Sequence, residues 1–411
     1  MNASGAEAGE LARIYGTPLV VVDLDTVDGA LAALHAACTP FDIEISYAAK
    51  AFLCIQFARY LARDAAIGLD VCSLGELLVA ERAGLPSERL TLHGAGKSDE
   101  ELVAAAQGRV GRIVVDGIEE LERLGAMQSC QARLLLRINT GIEAHTHAFV
   151  RTGGDDTKFG IARRDLAQVA QVLREHPHLR FTGLHAHAGS QIYEPDAFAA
   201  NAAALMEAAA SFVSAGLAVT ELVAGGGFGV QMQPEMPTEK LDVAAAVAGI
   251  AKTVRENAAS LRIPMPRIGI EPGRAIVANA GTTLYRVVAV KRQTSRTFVV
   301  VDGGLFENPR PALYGAYHHV AAVRTHAGEL HDVTLCGRSC ENDVLGTARL
   351  PVDLRAGDLL AMFATGAYTF SMAGNYNRFA RPAVVAVRGT AHDLWIRRET
   401  LDDVLRNDVD A

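Results

Sequence analysis

The stretch IEISYAAK, residues 43–50, is a short apolar run that ends on a lysine. Its length and its β-branched and aromatic residues are typical of a buried strand, and we expect a helix to begin near Phe52. An ammonium group at the end of such a strand is costly to desolvate unless it is neutralised, paired or used covalently. A Schiff-base lysine would explain Lys50, whereas an isolated lysine is more often a surface residue just past a strand end.

Seven further apolar runs follow this one, with helix-like segments between them. Eight alternations of strand and helix predict an α/β fold with a closed (β/α)8 barrel, whose parallel strands are buried on both faces and read as apolar runs. We place this barrel at residues 26–280. The further strand-like runs are 67–71, 90–93, 112–115, 133–138, 181–187, 219–224 and 268–271, and the alanine-rich helical segments, each followed by Gly or Pro, include 74–83, 99–107, 119–124, 164–175 and 197–215.

The composition of the chain changes after Gly281. Runs rich in Val, Thr and aromatic residues replace the helical repeats, which predicts an antiparallel β-sandwich or barrel domain. We assign residues 281–411 to it, together with residues 1–25, because PLVVVD at 18–23 is an extra strand that precedes the barrel. The runs after Gly281 are 282–291, 297–301, 332–335, 359–363 and 383–387.

Composition and charge exclude several classes of function. The 411 residues are 50% hydrophobic, enough for two or three domains. The net charge is −8 without a basic stripe, so we expect a small-molecule partner and no nucleic-acid or membrane binding. Without a signal-like start or a long apolar stretch, we expect a soluble, cytoplasmic protein. Six scattered cysteines without CxxC spacing indicate neither a disulfide framework nor a zinc site.

Polar residues stand at the predicted carboxyl ends of the barrel strands, where this fold assembles its active sites. His187 alone could be a core histidine, and a glycine cluster alone could serve a tight turn. However, the glycines follow strand seven and Glu271 follows strand eight, where barrels commonly bind phosphate through backbone amides. A lysine, a phosphate cradle and a carboxylate at one barrel mouth indicate pyridoxal phosphate. The residues are Lys50, Asp70, His93, Asn139, His187, the run GGGFG at 225–229, and Glu271.

Several motifs, in order, resemble those of fold-type III pyridoxal-phosphate decarboxylases, which share the alanine racemase and ornithine decarboxylase architecture. The likeness extends from about residue 11 to 390. The motifs are YAAKAF 47–52, HAHAGSQI 185–192, GGGFG 225–229, EPGR 271–274, RPALYGAY 310–317, CE 340–341 and GAY 366–368. Within that family, LHGAGKS 92–98, RINTGIEAHTH 137–147 and KFGI 158–161 are similar to diaminopimelate decarboxylases in particular.

The resemblance implies a role for each matching residue. Lys50 would hold the cofactor through a Schiff base, His187 would lie over its ring, and Glu271 would keep its pyridine nitrogen protonated. Asp70 is a candidate partner for Lys50, although a helix-capping role is equally consistent with its position. The expected phosphate-binding residues are Ser190, Gly226, Gly227, Phe228, Gly229, Gly273, Arg274 and Tyr368.

The implied reaction converts meso-diaminopimelate into L-lysine and CO2. Arg274 and Arg310 suit the distal carboxylate by forked hydrogen bonding, with Tyr314 and Tyr368 assisting. Glu341 suits the distal ammonium. In the family the Cys–Glu segment reaches the pocket from the partner subunit, which implies a homodimer with shared sites and Cys340 as a possible proton donor.

One departure from the family keeps a second substrate open. The family pattern is Cys–Glu–Ser–x–Asp, whereas this chain has CEND at 340–343, one residue shorter and without the serine. A decarboxylase acting on another amino acid, carrier-tethered or ornithine-like, is therefore an alternative, although Arg274 with Arg310 argues against an ornithine type.

Other classes of protein fit the sequence less well. A non-catalytic homologue has no need of Lys50, His187, Glu271 and Cys340 together, and an alanine racemase would place an arginine where Glu271 stands. A metal-dependent barrel hydrolase requires several inward ligands. We expect His185 and His187 to alternate on one strand, so that only one faces inward.

Overall fold

The computed structural model describes residues 5–142, 157–232 and 240–409. The first elements are α1 (Gly5–Tyr15) and β1 (Leu19–Asp23). The chain divides into two compact units, one made of Met1–Ala30, Gln231–Glu239 and Arg274–Ala411 and the other of Leu31–Val230 and Lys240–Gly273. The domain bounds at 26 and 280 remain a prediction, and the 143–147 part of the RINTGIEAHTH motif lies outside the described residues.

The second unit is a closed eight-stranded parallel barrel, as the sequence predicts. Each strand pairs with the next, and β9 closes the ring on β2 with Ile270 opposite Ile45. Strand interiors such as Leu134–Leu136 are fully buried, because helices cover the outside of the ring. The strands are β2 (Glu44–Ala48), β3 (Ile67–Val71), β4 (Leu90–Leu92), β5 (Arg112–Val115), β6 (Arg133–Arg137), β7 (Arg180–His185), β8 (Glu221–Val223) and β9 (Arg267–Ile270).

Helices follow the barrel strands, and their ends carry recognisable caps. Ser98 forms a capping box with Glu101, and Gly84 ends its helix in the left-handed conformation. Helix α2 (Leu24–Cys38) precedes the first barrel strand, and the helices that follow barrel strands are α3 (Ile55–Ala62), α4 (Leu74–Ala83), α5 (Asp99–Ala106), α6 (Ile118–Gly125), α7 (Leu166–Glu175), α8 (Pro195–Ser214) and α9 (Val243–Leu261).

The helix after β2 begins later than its sequence suggests. A short 3-10 turn, Ala49–Ala51, carries Lys50 out of the strand, and α3 starts only at Ile55. Cys54 is extended, with φ −148°, and its Sγ accepts a hydrogen bond from the Phe57 N–H at 3.4 Å. This cap sets the start of α3 and leaves Lys50 on a turn at the strand end.

Among the helices that the structure describes, one, α8, is long and apolar enough to cross a membrane by length and composition alone. Half of its apolar window is buried within the protein, including Phe198, Leu205 and Phe212. The helix therefore has the burial expected of a core helix of the barrel.

The other unit is built on a mostly antiparallel nine-stranded sheet. Its main path is β14-β13-β11-β10-β1-β16-β17, and β15 pairs with both β10 and β12. Strand β1 lies between β10 and β16, so the run at 18–23 joins this sheet as predicted. The remaining elements are β10 (Gly281–Arg292), β11 (Thr297–Val301), β12 (Val320–Ala322), β13 (Leu330–Cys336), β14 (Val344–Pro351), β15 (Leu359–Phe363), β16 (Ala383–Arg388), β17 (Ala391–Ile396), and helices α10 (Arg274–Val277), α11 (Arg310–Tyr314) and α12 (Leu401–Leu405).

Close backbone packing in this unit fixes the GAY segment at 366–368. A Cβ on Gly366 would lie 1.8 Å from the Val277 carbonyl oxygen, and one on Gly281 would lie 2.1 Å from the Gly366 Cα. No side chain fits at such distances, so both positions require glycine. The contact holds Tyr368 close to the helix that begins at Arg274.

Candidate active site

The carboxyl ends of the barrel strands surround a cavity of about 260 Å³. Five of the polar strand-end residues predicted from the sequence line it and therefore converge as expected, whereas Asn139 and the glycine run at 225–229 are not among the lining residues. The Lys50 side chain is exposed at the barrel rim rather than desolvated, because its turn projects it beyond the strand. The lining residues are Ala48, Lys50, Asp70, Val71, Cys72, Glu76, His93, Gly94, Arg137, Phe159, His185, His187 and Glu271.

Glu271 follows β9 and has an imidazole at each carboxylate oxygen. His185 Nε2 donates to Oε2 at 2.9 Å, and His93 Nε2 lies 3.3 Å from Oε1 and 3.6 Å from Asp70 Oδ1. Burial by itself raises the pKa of Glu271, but the two imidazoles hold that pKa well below its usual range. The carboxylate is therefore ionised at neutral pH. His93, His185 and Glu271 lie close enough together to hold a metal ion. The hydrogen bond from His185 and the ion pair with His93 already engage the two carboxylate oxygens, which favours a network without a metal.

His93 gives this network a pH dependence. Burial lowers its pKa, but Glu271 and Asp70 together raise it to about 9 from an ordinary 6.5. A raised pKa stabilises the fold fully below about pH 6.5, and the contribution disappears as the pH rises through 9. We expect the free energy of unfolding to fall by on the order of 2–3 kcal/mol across this interval.

Urea unfolding of the protein at a series of pH values measures this loss. A His93→Gln variant should lack most of the decrease between pH 6.5 and 9.5, whereas replacement of the exposed His178 by Gln should preserve it. The same pH dependence in the wild type and in His93→Gln would contradict the assignment.

His187 lies just beyond the end of β7 and is neutral. Its Nδ1 accepts a hydrogen bond from the Gly226 N–H at 3.1 Å. Burial, followed by the charges of Lys50 and Arg137, holds the pKa of His187 well below its usual range. The expectation that only one of His185 and His187 faces the site is wrong, since both line the cavity. Strand β7 ends at His185, so the two-residue alternation does not extend to His187.

The glycine run at 225–229 lies directly against neighbouring backbone. A Cβ on Gly226 would lie 2.1 Å from the Glu271 carbonyl oxygen, and one on Gly227, at φ +99°, 2.3 Å from the Gly189 carbonyl oxygen. The Gly229 N–H donates to the Ile192 carbonyl at 3.0 Å. Close packing on the Glu271 backbone and on residues 189–192, which include Ser190, therefore explains the glycines. Two of their amides are already engaged, since the Gly226 N–H donates to His187 Nδ1 and the Gly229 N–H to the Ile192 carbonyl.

Two further predicted residues of the barrel have clear surroundings. The Phe228 ring is buried and stacks on Phe198, with 4.7 Å between ring centres, so its side chain belongs to the packing of the barrel. A Cβ on Gly273 would lie 3.0 Å from the Ala48 Cβ, which places this glycine beside the end of β2.

Lys97, in the LHGAGKS motif, is a buried lysine whose amine is fully hydrogen-bonded, so it is not a candidate for the cofactor lysine. Its Nζ donates to the carbonyls of Gly94 and Val114 at 2.9 and 2.6 Å and to Glu120 Oε1 at 2.8 Å. All three of its protons have acceptors, so the amine holds the strand end that carries His93 in place.

Arg274 and Arg310 form a buried cationic pair in the other unit. Both guanidinium groups lie over the Tyr368 ring, at 4.8 and 5.6 Å from its centre, and Arg310 also lies 5.5 Å from the Tyr314 ring centre. Burial, with the Arg274 charge, lowers the pKa of Arg310 to about 10. Among the described residues, Arg310 Nε has no hydrogen-bond partner. Within the described part of the chain no carboxylate pairs with Arg310, so a buried guanidinium group beside a second cation favours an anion at this position.

Cys340 and Glu341 belong to the same unit as this pair and are both exposed. The Cys340 N–H donates to Asn377 Oδ1 at 3.0 Å, and Glu341 Oε1 accepts from the Tyr376 hydroxyl. Neither residue is among those lining the barrel cavity.

Comparison with known proteins identifies the chemistry of the cavity. Residues 24–278 match the family model described as the pyridoxal binding domain of the pyridoxal-dependent decarboxylases. The chain belongs to this family. It is therefore a carboxy-lyase with pyridoxal phosphate as its cofactor.

The similarity to individual decarboxylases covers nearly the whole chain. A diaminopimelate decarboxylase of Actinosynnema pretiosum is 44% identical over 98% of this chain and 92% of its own. A solved diaminopimelate decarboxylase from M. jannaschii is 29% identical with a TM-score of 0.89, covering 98% of this chain and 94% of that one. The Helicobacter pylori enzyme, complexed with L-lysine, is 28% identical with a TM-score of 0.88, covering 97% of this chain and 98% of its own.

The residues of this decarboxylase fit the cofactor on structural grounds. One cavity brings together an exposed primary amine, a neutral imidazole and an ionised carboxylate, on Lys50, His187 and Glu271. These are the groups needed to bind an aldehyde, cover an aromatic ring and pair with a pyridinium nitrogen.

Sequence reasoning missed several cavity residues. Arg137 lies 4.5 Å from the Phe159 ring centre and 3.6 Å from Asp116 Oδ1, and Glu76 Oε2 accepts from the Cys72 N–H at 2.7 Å. Arg137 is the last residue of β6, so the strand-end rule that selected Lys50 could have found it. Phe159 belongs to the KFGI motif at 158–161 but does not end a strand, and only the fold brings it to the cavity.

Proposed function

We propose that this decarboxylase converts meso-diaminopimelate into L-lysine and CO2. The buried Arg310, which lies beside a second buried arginine, supports this substrate, because an amino acid with a second carboxylate would supply an anion for its guanidinium group. The named diaminopimelate decarboxylases that the chain resembles along nearly its full length support it as well.

A CO2-release screen of the enzyme loaded with pyridoxal phosphate tests the proposal. The substrates are meso-diaminopimelate, lysine, ornithine, arginine and glutamate. We expect release from diaminopimelate at least tenfold faster than from the others. Release from ornithine or lysine alone would overturn the proposed substrate, and no release from any of the five would favour a tethered or unusual amino acid.

Each of three barrel residues would bind a different part of the cofactor. Lys50 would hold it covalently, His187 would cover one face of the ring and exclude water, and Glu271 would keep a proton on the ring nitrogen. When bound, pyridoxal phosphate supplies an electron sink for the electron pair left by departing CO2. Because His185 and His93 hold Glu271 ionised, its carboxylate is suited to accept a hydrogen bond from a protonated nitrogen.

Two further sets of side chains complete this proposal. Asp70, which accepts from the Ser46 hydroxyl at 2.6 Å, would orient the groups around Lys50 through His93. The proposed phosphate ligands are Ser190, Gly226, Gly227, Phe228, Gly229, Gly273, Arg274 and Tyr368, with the backbone amides of the Gly226–Gly229 run acting as donors where they are not already engaged.

Replacing Arg310 by methionine tests the binding of the distal carboxylate. Met keeps apolar contact with the Tyr314 and Tyr368 rings but loses the forked donors. We expect kcat/KM for diaminopimelate to fall by about 10²–10⁴-fold, with a raised KM, and to fall far less for a diamine with a single carboxylate such as lysine. Lys252→Met, which removes an exposed cation on α9, is the matched control and should leave both values unchanged. Equal losses of Arg310→Met on both substrates would mean that the residue does not read the distal carboxylate.

We further propose a soluble, cytoplasmic homodimer in which Cys340 and Glu341 reach the partner subunit's site. Their exposure supports this, since neither side chain is covered within its own chain. Cys340 would deliver a proton to the substrate carbon, and Glu341 would accept from the distal ammonium. The mass of the enzyme in solution checks the dimer, and a monomer with full activity would contradict shared sites.

A decarboxylase of the same fold with another amino-acid substrate is the second candidate. The loop at 340–343, one residue shorter than the family pattern, favours it, because this loop carries the residues expected to touch the distal group. The same CO2-release screen distinguishes the two candidates.

A further inference from the structure

Two surface segments of the sheet-containing unit are joined at the residues that carry Cys340 and Glu341. We name residues 338–343 the Cys340 loop and residues 374–379 the Tyr376 segment. Asn377 Oδ1 accepts from the Cys340 N–H at 3.0 Å, and the Tyr376 hydroxyl donates to Glu341 Oε1. The Arg338 guanidinium also lies 4.4 Å from the Phe379 ring centre. Two hydrogen bonds and one cation–π contact therefore join the two segments.

The Tyr376 segment is conformationally strained. Asn377 and Arg378 have φ values of 51° and 58°, so two successive residues with a Cβ occupy the left-handed region. Such conformations persist only where the surroundings impose them, and they concentrate at functional sites. The Gly374 N–H donates to the Phe306 carbonyl at 2.8 Å, and the Phe306 and Phe379 ring centres lie 4.7 Å apart. These contacts anchor both ends of the strained turn.

Stability alone does not account for this arrangement. Tyr376 is 41% exposed, and Asn377, Cys340 and Glu341 are exposed as well. A hydrogen bond between exposed side chains contributes little to folding, because water competes for the same donors and acceptors. Arg378 pairs with Asp408, but this contact is exposed as well. The strain is therefore offset by surface contacts, as expected when a segment preorganises groups for binding.

The far end of the Cys340 loop is anchored separately. Asp343 is buried, and its Oδ1 accepts from the Leu305 N–H at 2.7 Å while its Oδ2 lies 3.3 Å from the Ser339 N. The loop is thus held by Asp343 on one side and by Asn377 on the other. Glu341 stands between these anchors, and its side chain is held by Tyr376.

We propose that Tyr376 and Asn377 are positioning residues that hold the Cys340 loop so that Glu341 meets the distal cationic group of the amino-acid substrate. This inference rests on the proposed function, in which Glu341 reads that group. Asn377 fixes the backbone at Cys340. Tyr376 occupies one carboxylate oxygen of Glu341, which orients the other oxygen to accept from an ammonium. The loop lacks the serine of the family pattern, and these two residues give it its fixed shape.

Hydrogen exchange in the holoenzyme tests the backbone part of the proposal. Asn377→Gly removes the acceptor but adopts φ +51° without strain, so the fold should be retained with an equal or higher Tm. Asn377→Asp keeps an acceptor and tolerates the same conformation. We expect the Cys340 amide to exchange at least about tenfold faster in Asn377→Gly and at the wild-type rate in Asn377→Asp. Unchanged exchange in Asn377→Gly would overturn the assignment.

A double-mutant cycle tests the side-chain part. Tyr376→Phe should raise KM for diaminopimelate about tenfold and change kcat by less than threefold, because the loss is in placing the distal group. Glu341→Gln should raise KM at least as much, and the double variant should be no worse than Glu341→Gln alone. Tyr60→Phe on α3 is the matched control and should leave KM unchanged. Additive losses would show that Tyr376 does not act through Glu341 and would overturn the proposal.

The two measurements separate failure of this inference from failure of the proposed function. If the wild-type enzyme releases no CO2 from diaminopimelate, the proposed substrate is wrong, and the exchange of the Cys340 amide still decides whether Asn377 holds the loop. If diaminopimelate is turned over but the cycle is additive, the substrate stands and the positioning role fails.

Discussion

Replacing Lys50 by alanine is expected to abolish both turnover and the visible absorbance of the bound cofactor. Lys50 is the lysine that lines the barrel cavity, whereas the buried Lys97 has three acceptors of its own. Without the Lys50 amine no covalent link to the aldehyde can form, so we expect kcat to fall by at least about 10³-fold. Absorbance spectra of the purified variant and CO2 release at saturating substrate measure the two losses.

A matched lysine elsewhere controls for nonspecific effects of this change. Lys252 lies on α9 with its side chain 74% exposed, and Lys252→Ala should keep full absorbance and activity. Retention of both the absorbance and the turnover in Lys50→Ala would refute the assignment of the cofactor lysine.

Replacing Glu271 by glutamine is expected to lower kcat by about 10²–10³-fold while the cofactor remains attached. The amide preserves size but loses the negative charge that His185 and His93 hold in place at 2.9 and 3.3 Å. A neutral partner no longer favours a protonated ring nitrogen, so the electron sink weakens while Lys50 is untouched. Retained absorbance with reduced kcat distinguishes this result from that of Lys50→Ala.

The control for the glutamate is Glu256 on α9, which is 65% exposed and pairs only loosely with Lys252. Glu256→Gln should be indistinguishable from the wild type. If Glu271→Gln kept kcat within about threefold of the wild-type value, the carboxylate would have no electronic role in the reaction.

Much of the fold was predictable from the order of the residues. All eight barrel strands were located within a few residues, because a strand buried on both faces leaves a continuous apolar run. Strands β12, β14 and β17 were missed. Strand β17 is largely exposed and includes His392 and Asp393, and β14 contains Gly346 and Pro351, so neither has the expected pattern.

The candidate site was also predicted only in part from the sequence. Lys50, Asp70, His187 and Glu271 were found because a barrel brings the carboxyl ends of its strands to one mouth, so position along each run is enough. The sequence predicted a shared anion-binding role for Arg274 and Arg310, and the structure places both guanidinium groups over the ring of Tyr368.

The sequence by itself therefore determined the barrel, the second sheet and the strand-end residues, since each depends on a local pattern that repeats along the chain. Only the tertiary structure decided which groups contact each other. The imidazoles on Glu271 and the attachment of Cys340 and Glu341 to Asn377 and Tyr376 join residues that are 35 to 178 positions apart. Such contacts depend on how separate elements pack, and no spacing within a single element encodes that packing.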